Sequence, residues 1–198
     1  MLKMYKDSPL KKYLDDLAAK VPAPGGGSAA AMTAAMACAL ISMVVNFTLG
    51  KSKYAKYERE LKETLRRSEK LRKEFSRLVD LDVLAYQSKN LKKALDVSLV
   101  ICRLCFEAIN LCPPLVKKGN INLVSDTAIA AIFLEAAFVC AKFNVDINLK
   151  LIDPALFEKM AGSSRAKRGI LEELSGKEKL IKKIRLQTEA KVGKIIRG

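Results

Sequence analysis

The chain has 198 residues, half of them apolar, with no tryptophan and few aromatics, a size that suits one domain with a sizeable core. Its apolar mass is mostly Ala, Leu, Ile and Val in long runs, with Gly and Pro confined to a few junctions, which favours an all-α protein over a sandwich or a doubly wound sheet. A formal charge of +15 attracts polyanions, while the complete absence of histidine excludes the common zinc and Ser-His-Asp schemes and leaves acid–base work to carboxylates, Cys, Lys, Tyr or a ligand's own groups.

Ser8-Pro9 predicts the start of a short first helix, with Ser as cap and Pro in the first turn, ending before Val21-Pro22. Pro22-Ala23-Pro24-Gly25-Gly26-Gly27-Ser28 follows. The prolines block helix continuation, the glycines Gly25, Gly26 and Gly27 permit close backbone approach, and Ser28 stands where an N-cap is wanted. Free N–H groups opening a helix make the loop a cradle for an anion or ligand. Phosphate is not the expected ligand, because the loop follows a helix rather than a strand and lacks a P-loop lysine. The second helix is predicted from about Ser28 to Leu49, within a segment, Val21 to Gly50, that carries no charge. That composition admits a membrane span, but the alanine content and Thr33, Ser42, Asn46 and Thr48 argue for a buried central helix. Its small residues Ala30, Ala34, Ala37 or Cys38, with Ile41, would let another helix, even one from a second subunit, pack closely.

The third helix, about Lys53 to Asn90, has a stripe at spacings of four and three: Leu71, Phe75, Leu78, Asp82, Ala85. Asp82 thus occupies a position reserved for apolar residues, where a carboxylate must be paired, protonated or facing a ligand cavity. Asp80, on the flanking face, is expected in solvent. The segment Lys51 to Lys73 holds ten basic and four acidic residues, and Arg165 to Gly198 holds eleven and four. A solvated helix face and a polyanion-binding surface both fit such runs.

A fourth helix from about Leu91 to Leu111 is stopped by Cys112-Pro113-Pro114. A connection through Gly119, Asn120 and Asn122 leads to Ser125, the expected N-cap of an alanine-rich helix to about Leu149, with Asp126 in the first turn favoured by the dipole. Asn144 and Asn148, one turn apart, suggest a polar lining or interhelical bonds. Asp153-Pro154 caps another helix ending near Gly162-Ser163-Ser164, and residues 165–198 form a basic amphipathic helical extension, with Ile170, Leu174, Ile181 and Ile184 in phase. The five cysteines, 38, 102, 105, 112 and 140, lie in apolar helical contexts with no signal peptide ahead of them, and read as reduced core residues of a cytoplasmic protein. Cys102-x-x-Cys105 lacks the second pair that a metal site wants.

Three blocks together are specific: Pro22 to Ala31, Gly119 to Thr127 followed by Ala130-Ala131, and Asn144 to Leu149. In this order and at these separations the chain resembles the cyclodeaminase/cyclohydrolase family of folate enzymes, over about Leu10 to Met160. Asp82-x-x-x-Tyr86 also matches the family's acidic helix motif. The resemblance implies a single all-α domain over 1–198, a helical bundle with a central alanine-rich helix pair, forming a homodimer, with a tetrahydrofolate derivative as substrate in a cleft at the glycine loop and no metal or cofactor. The chain departs from the family in a shorter stretch between Tyr86 and Ala94, in Val97-Ser98 where members commonly have Val-Pro, and in its basic C-terminus.

The implied reactions are cyclodeamination of formiminotetrahydrofolate to methenyltetrahydrofolate and ammonia, or hydrolysis of the methenyl bridge to the formyl compound. Both need a base, an acid and stabilisation of a cation, roles that carboxylates fill in a protein without histidine. Asp82 and Asp126 are the expected acidic pair. Asn120, Asn122, Ser125 and Asn148 would orient the pterin or its bridge, Gly25 to Gly27 with Ser28 would form the wall, and Tyr86 would stack or donate. The basic surface would capture polyglutamylated folates. A family member with altered or lost activity that still binds a folate-like ligand is one alternative, and a basic helical nucleic-acid-binding protein is another. Neither a membrane nor a nucleic acid is the expected partner.

Overall fold

The computed structural model describes residues 4–161 and 165–198, which form helices and short 3-10 turns and contain no strand. In chain order the helices are α1 (Leu10–Ala18), α2 (Gly26–Asn46), α3 (Glu58–Gln87), α4 (Leu91–Ile109), α5 (Cys112–Lys118), α6 (Val124–Leu151), α7 (Pro154–Ala161) and α8 (Ala166–Arg197). The predicted end of α7 near Gly162-Ser163-Ser164 lies outside the described residues.

The charge-free α2 is the centre of the bundle. Ala31, Ala34, Ala37, Cys38, Ile41, Val44 and Val45 are completely or almost completely buried. Its polar residues are absorbed one by one. Ser42 Oγ meets Ser68 Oγ of α3 at 2.8 Å, Thr48 Oγ1 donates to Val44 O, and Ser28 Oγ donates to Val79 O of α3 at 3.1 Å. These pairs run in opposite directions along the two chains, so α2 and α3 are antiparallel in a fixed register. α6 is antiparallel to α2 as well: Gly26 approaches Asn144 at one end, and Asn120, just before α6, bonds Thr48 and Phe47 at the other. The small residues of α2 therefore serve packing inside one chain, against α3 and α6, rather than a second subunit.

α8 docks along the far side of α6 through Leu174 and Ile181, both fully buried, and through ion pairs to α4 and α6. Arg185 pairs with Glu135 and Glu189, Lys142 with Glu178, and Arg103 grips Glu173 through two N–H groups at 2.9 and 3.0 Å. Arg103 and Lys177 hold the Glu173 carboxyl down to about 2, from 4.5. A depressed folded-state value stabilises the fold above the unfolded value and loses that contribution as pH falls toward 2. Wild type should therefore lose melting temperature more steeply than Glu173→Gln between about pH 4.5 and 2, a difference on the order of 1 kcal/mol or less for a pair this exposed. Parallel curves from thermal melts across that range would remove the pairing as a source of stability.

Several local expectations change. Gly25, not Ser28, is the N-cap of α2, and Ser28 lies inside the first turn, buried. Leu123 precedes α6, so Ser125 is within the helix and exposed rather than capping it. A 3-10 turn, Ser52–Tyr57, precedes α3 where one continuous helix was expected. Pro113 and Pro114 open α5 instead of only closing α4, since a first turn has no N–H partners to lose. Cys38, Cys102, Cys105 and Cys112 are buried, but Cys140 is exposed. Asp80 is the larger correction. It is only 2% exposed and accepts the Tyr5 backbone N–H at 2.6 Å and that of Lys6 at 3.4 Å, tying the N-terminal segment across α3.

Candidate active site

The site starts from the glycine loop. α2 opens with Gly26 and Gly27, so its first N–H groups have no helical acceptor and its positive dipole end is uncovered. Asp82 of α3 fills that place. The Ser28 backbone N–H faces its carboxylate, and a Cβ on Gly27 would sit 2.7 Å from Asp82 Cγ. Only glycine admits the carboxyl so close. Asp82 is half-buried rather than fully inward, while the next residue of its stripe, Ala85, is buried.

Two influences act on Asp82 in opposite senses. Burial raises its pKa above the ordinary carboxylate value, and the Ser28 N–H lowers it by a smaller amount, so the balance is a raised value. A carboxyl poised this way and open on one side is suited to take or give a proton. Behind it, Tyr13 Oη bonds Ser28 Oγ at 3.2 Å and is itself buried. Tyr5 packs edge-on against Tyr13, with ring centroids 5.3 Å apart. Asp80, through Tyr5, thus braces the wall behind Ser28.

Across the opening stands α6. The place of a Gly26 Cβ is 3.9 Å from Asn144 Nδ2, and Asn148 lies one turn further, half-buried. Tyr86, one turn after Asp82, is 60% exposed. The shortened α3–α4 connection is the turn at Ser88 to Asn90, with Lys89 at φ 51° and the Asn90 side chain capping α4. Gly25, Gly26, Gly27, Ser28, Asp82, Tyr86 and Asn148 are therefore gathered at one end of the bundle.

Asp126, Ser125, Asn122 and Asn120 are not. Asp126 precedes Asn144 on the same straight helix by 18 residues, about 27 Å of helix. At that far end Asn120 is committed to the fold: its N–H donates to Thr48 Oγ1 at 2.8 Å, its Nδ2 to Phe47 O, and its Oδ1 accepts the Asn122 N–H. Asn122 and Ser125 are exposed and Asp126 is half-buried. Tyr13 and Asn144 join the site without having been among the expected residues. Asn144 was visible as half of an amide pair, whereas nothing in α1 marks Tyr13, since the stripe Leu10, Leu14, Leu17 that looks like its core face is exposed. Among the described residues no group of three or more His, Cys, Asp or Glu could hold a metal ion.

A charge-free helix opening on glycines, a carboxyl pressed into that opening and amides across it make up the candidate site of this helical bundle. The family model for formiminotransferase-cyclodeaminase matches residues 9–89 and 87–166, and the chain belongs to that family. It is 38% identical to the methenyltetrahydrofolate cyclohydrolase of Methylorubrum extorquens, over 75% of this chain and 82% of that one. It is 27% identical to the rat formimidoyltransferase-cyclodeaminase, spanning 32% of that longer protein. Its fold is similar to the crystal structure of formiminotetrahydrofolate cyclodeaminase from Thermotoga maritima, with a TM-score of 0.85, 31% identity, and coverage of 96% of this chain and 98% of that one.

Proposed function

We propose that the chain acts at the one-carbon bridge of a tetrahydrofolate derivative, as a methenyltetrahydrofolate cyclohydrolase. The Asp82 carboxyl, raised by burial and set against the open N-terminus of α2, carries the reading. The 38% identical relative named for that reaction supports it. Asp82 would take a proton from the water that attacks the methenyl carbon, as the new C–O bond forms. Its negative form also favours the cationic bridge before attack. The C–N bond on the other side of that carbon then breaks, the nitrogen keeps the electron pair and takes a proton, and the formyl group remains.

The cyclodeaminase reaction is the second reading, favoured by the close match to the Thermotoga maritima fold. There one folate nitrogen attacks the formimino carbon, ammonia leaves with a proton, and the same cation forms. An ultraviolet assay of the methenyl chromophore separates the two. Its loss from the methenyl substrate reports hydrolysis, and its appearance from the formimino substrate reports deamination. No change with either substrate, alongside binding of methenyltetrahydrofolate, would leave a folate-binding protein without turnover.

The substrate of this reading is polyglutamylated, and the working unit is a homodimer. Lys51, Lys53 and Lys56 give a surface suited to a polyanionic tail. Affinity for a long-tailed folate should fall steeply between low and high salt, while that for the monoglutamate should change little. Equal salt dependence, measured by titration calorimetry, would sink the tail-binding role. That basic segment lies at the far end of α2 from the glycine loop in one chain.

A further inference from the structure

One turn of α3, residues 79–82, has three separate partners. The Val79 carbonyl accepts the Ser28 hydroxyl at 3.1 Å, the Asp80 carboxylate accepts the Tyr5 and Lys6 backbone N–H groups, and the Asp82 carboxyl faces the Ser28 N–H. Ser28 is therefore fastened to the same helical turn that carries Asp82. Its hydroxyl has a second partner, since Tyr13 Oη donates to Ser28 Oγ at 3.2 Å. A chain of bonds thus runs from α1 through the first turn of α2 to α3.

α1 is not held by its apolar stripe. Leu10, Leu14 and Leu17 are 61%, 52% and 36% exposed, and Tyr13 is the buried residue of the helix. A phenylalanine would fill the same space. A buried hydroxyl, in contrast, needs a partner, and Ser28 Oγ supplies it. Burial pushes the Tyr13 hydroxyl above its ordinary value of 10.0, which keeps it a protonated donor at neutral pH. Tyr5 fixes the place of the ring. Its backbone N–H is bound by Asp80, its hydroxyl donates to Asp16 of α1 at 2.7 Å, and its ring meets Tyr13 edge-on.

We infer that Tyr13 is a positioning residue for Asp82, acting through Ser28, and that the N-terminal segment carrying it, residues 5–18, is part of the active site. The inference rests on the proposed function and adds what holds its proton acceptor in place. At Gly27, where a Cβ would lie 2.2 Å from Asp82 Oδ1, the first turn of α2 already meets the carboxyl closely. The chain from Tyr13 through Ser28 to Val79 keeps that turn from moving away. The groups that neighbouring elements bring to the carboxyl are neutral: Tyr13 from α1, the Ser28 N–H from α2 and, across the opening, Asn144 from α6. Asp80, on α3 itself, is turned to Tyr5 and Lys6. The Ser28 N–H is thus the contact through which Tyr13 reaches the ionisation of Asp82.

Two small deletions test this. Tyr13→Phe removes one hydroxyl and keeps the ring, and Ser28→Ala removes the middle of the chain and keeps the N–H. Each should lower kcat by about tenfold. KM should change little, because both side chains are buried behind the site. The acidic limb of the pH profile should move to higher pH, as the N–H loosens its hold on the charged carboxyl. In an Asp82→Asn background Tyr13→Phe should cost nothing further, because the two residues act as one unit. An equal loss in both backgrounds overturns the inference. So does a lower melting temperature with kcat and the limb unchanged, which would leave Tyr13 a purely structural residue. Carbon-13 titration of the Asp82 carboxyl reads the same coupling without substrate. Its pKa should rise in both variants while circular dichroism stays that of wild type. An unchanged value in both overturns the inference whatever the turnover assay gives. A raised value in a protein that turns over neither folate substrate supports the positioning role and overturns the proposed function instead.

Discussion

Asp82→Asn should lower the turnover number by ~10²- to 10⁴-fold, the range expected when a positioned proton acceptor is removed. It should do so without loss of fold. The folded-state pKa of Asp82 lies above its unfolded value of 3.8. Between those two values the native state holds more protons than the unfolded state, so the charged carboxyl costs stability that is fully felt once pH exceeds the folded value. Asparagine keeps an acceptor for the Ser28 N–H and removes the buried charge. The variant should therefore melt no lower than wild type at neutral pH, an equality or gain that fades as pH drops below about 3.8. Wild-type turnover should rise through an ionisation above the ordinary carboxylate range, and the residual activity of Asp82→Asn should lack that limb. An unchanged acidic limb in the variant would assign the ionisation to another group.

Gly27→Ala is the second large effect, and its cause is different. The backbone at Gly27 is helical, and alanine there would by itself favour the helix by about 0.5–1 kcal/mol. The glycine is needed for space: the new methyl would press on the Asp82 carboxyl, whose short side chain can escape only by turning away from the Ser28 N–H. Turnover should fall by ~10-fold or more, with a melting temperature within a few degrees of wild type. The acidic limb should move to higher pH, because the one influence that lowers the Asp82 pKa is lost. Gly25→Ala meets nothing within 4 Å, so the limb should stay in place and any loss of turnover there reports crowding of the bound ligand. If Gly27→Ala turns over normally with its limb in place, the close approach has no catalytic role.

Helix positions were readable where periodicity and junction residues agreed. The Pro-Gly loop before α2, the stripe through Leu71, Phe75 and Leu78, and the long alanine-rich α6 all stand where the pattern puts them. Capping was less readable. Ser28 and Ser125 are good N-cap residues by type, but the chain starts both helices earlier, because Ser28 is wanted by Tyr13 and Val79 and because a 3-10 turn runs straight into α6. Asp80 and Asp82 show the limit of a local pattern most clearly. The expectation put Asp80 in solvent, yet it is the more buried, since its partners Tyr5 and Lys6 are more than seventy residues away in sequence. The same holds for the site. The three sequence blocks identify its residues by type, but only the antiparallel register of α2 and α6 shows that Asp82 and Asp126 stand at opposite ends of one chain.

That register also limits how the gene can change. α2 is pinned to its neighbours at both ends, by Gly26 against Asn144 and by Thr48 against Asn120. A codon inserted in or deleted from α2 would rotate everything beyond it by about 100° and shift it by ~1.5 Å. The pins could then be restored only by a matching change in α6. Drift in this chain is free to alter the length of the connection after α3. In α2 and α6 it can exchange one small apolar residue for another, but the two helices keep a common length or change it together.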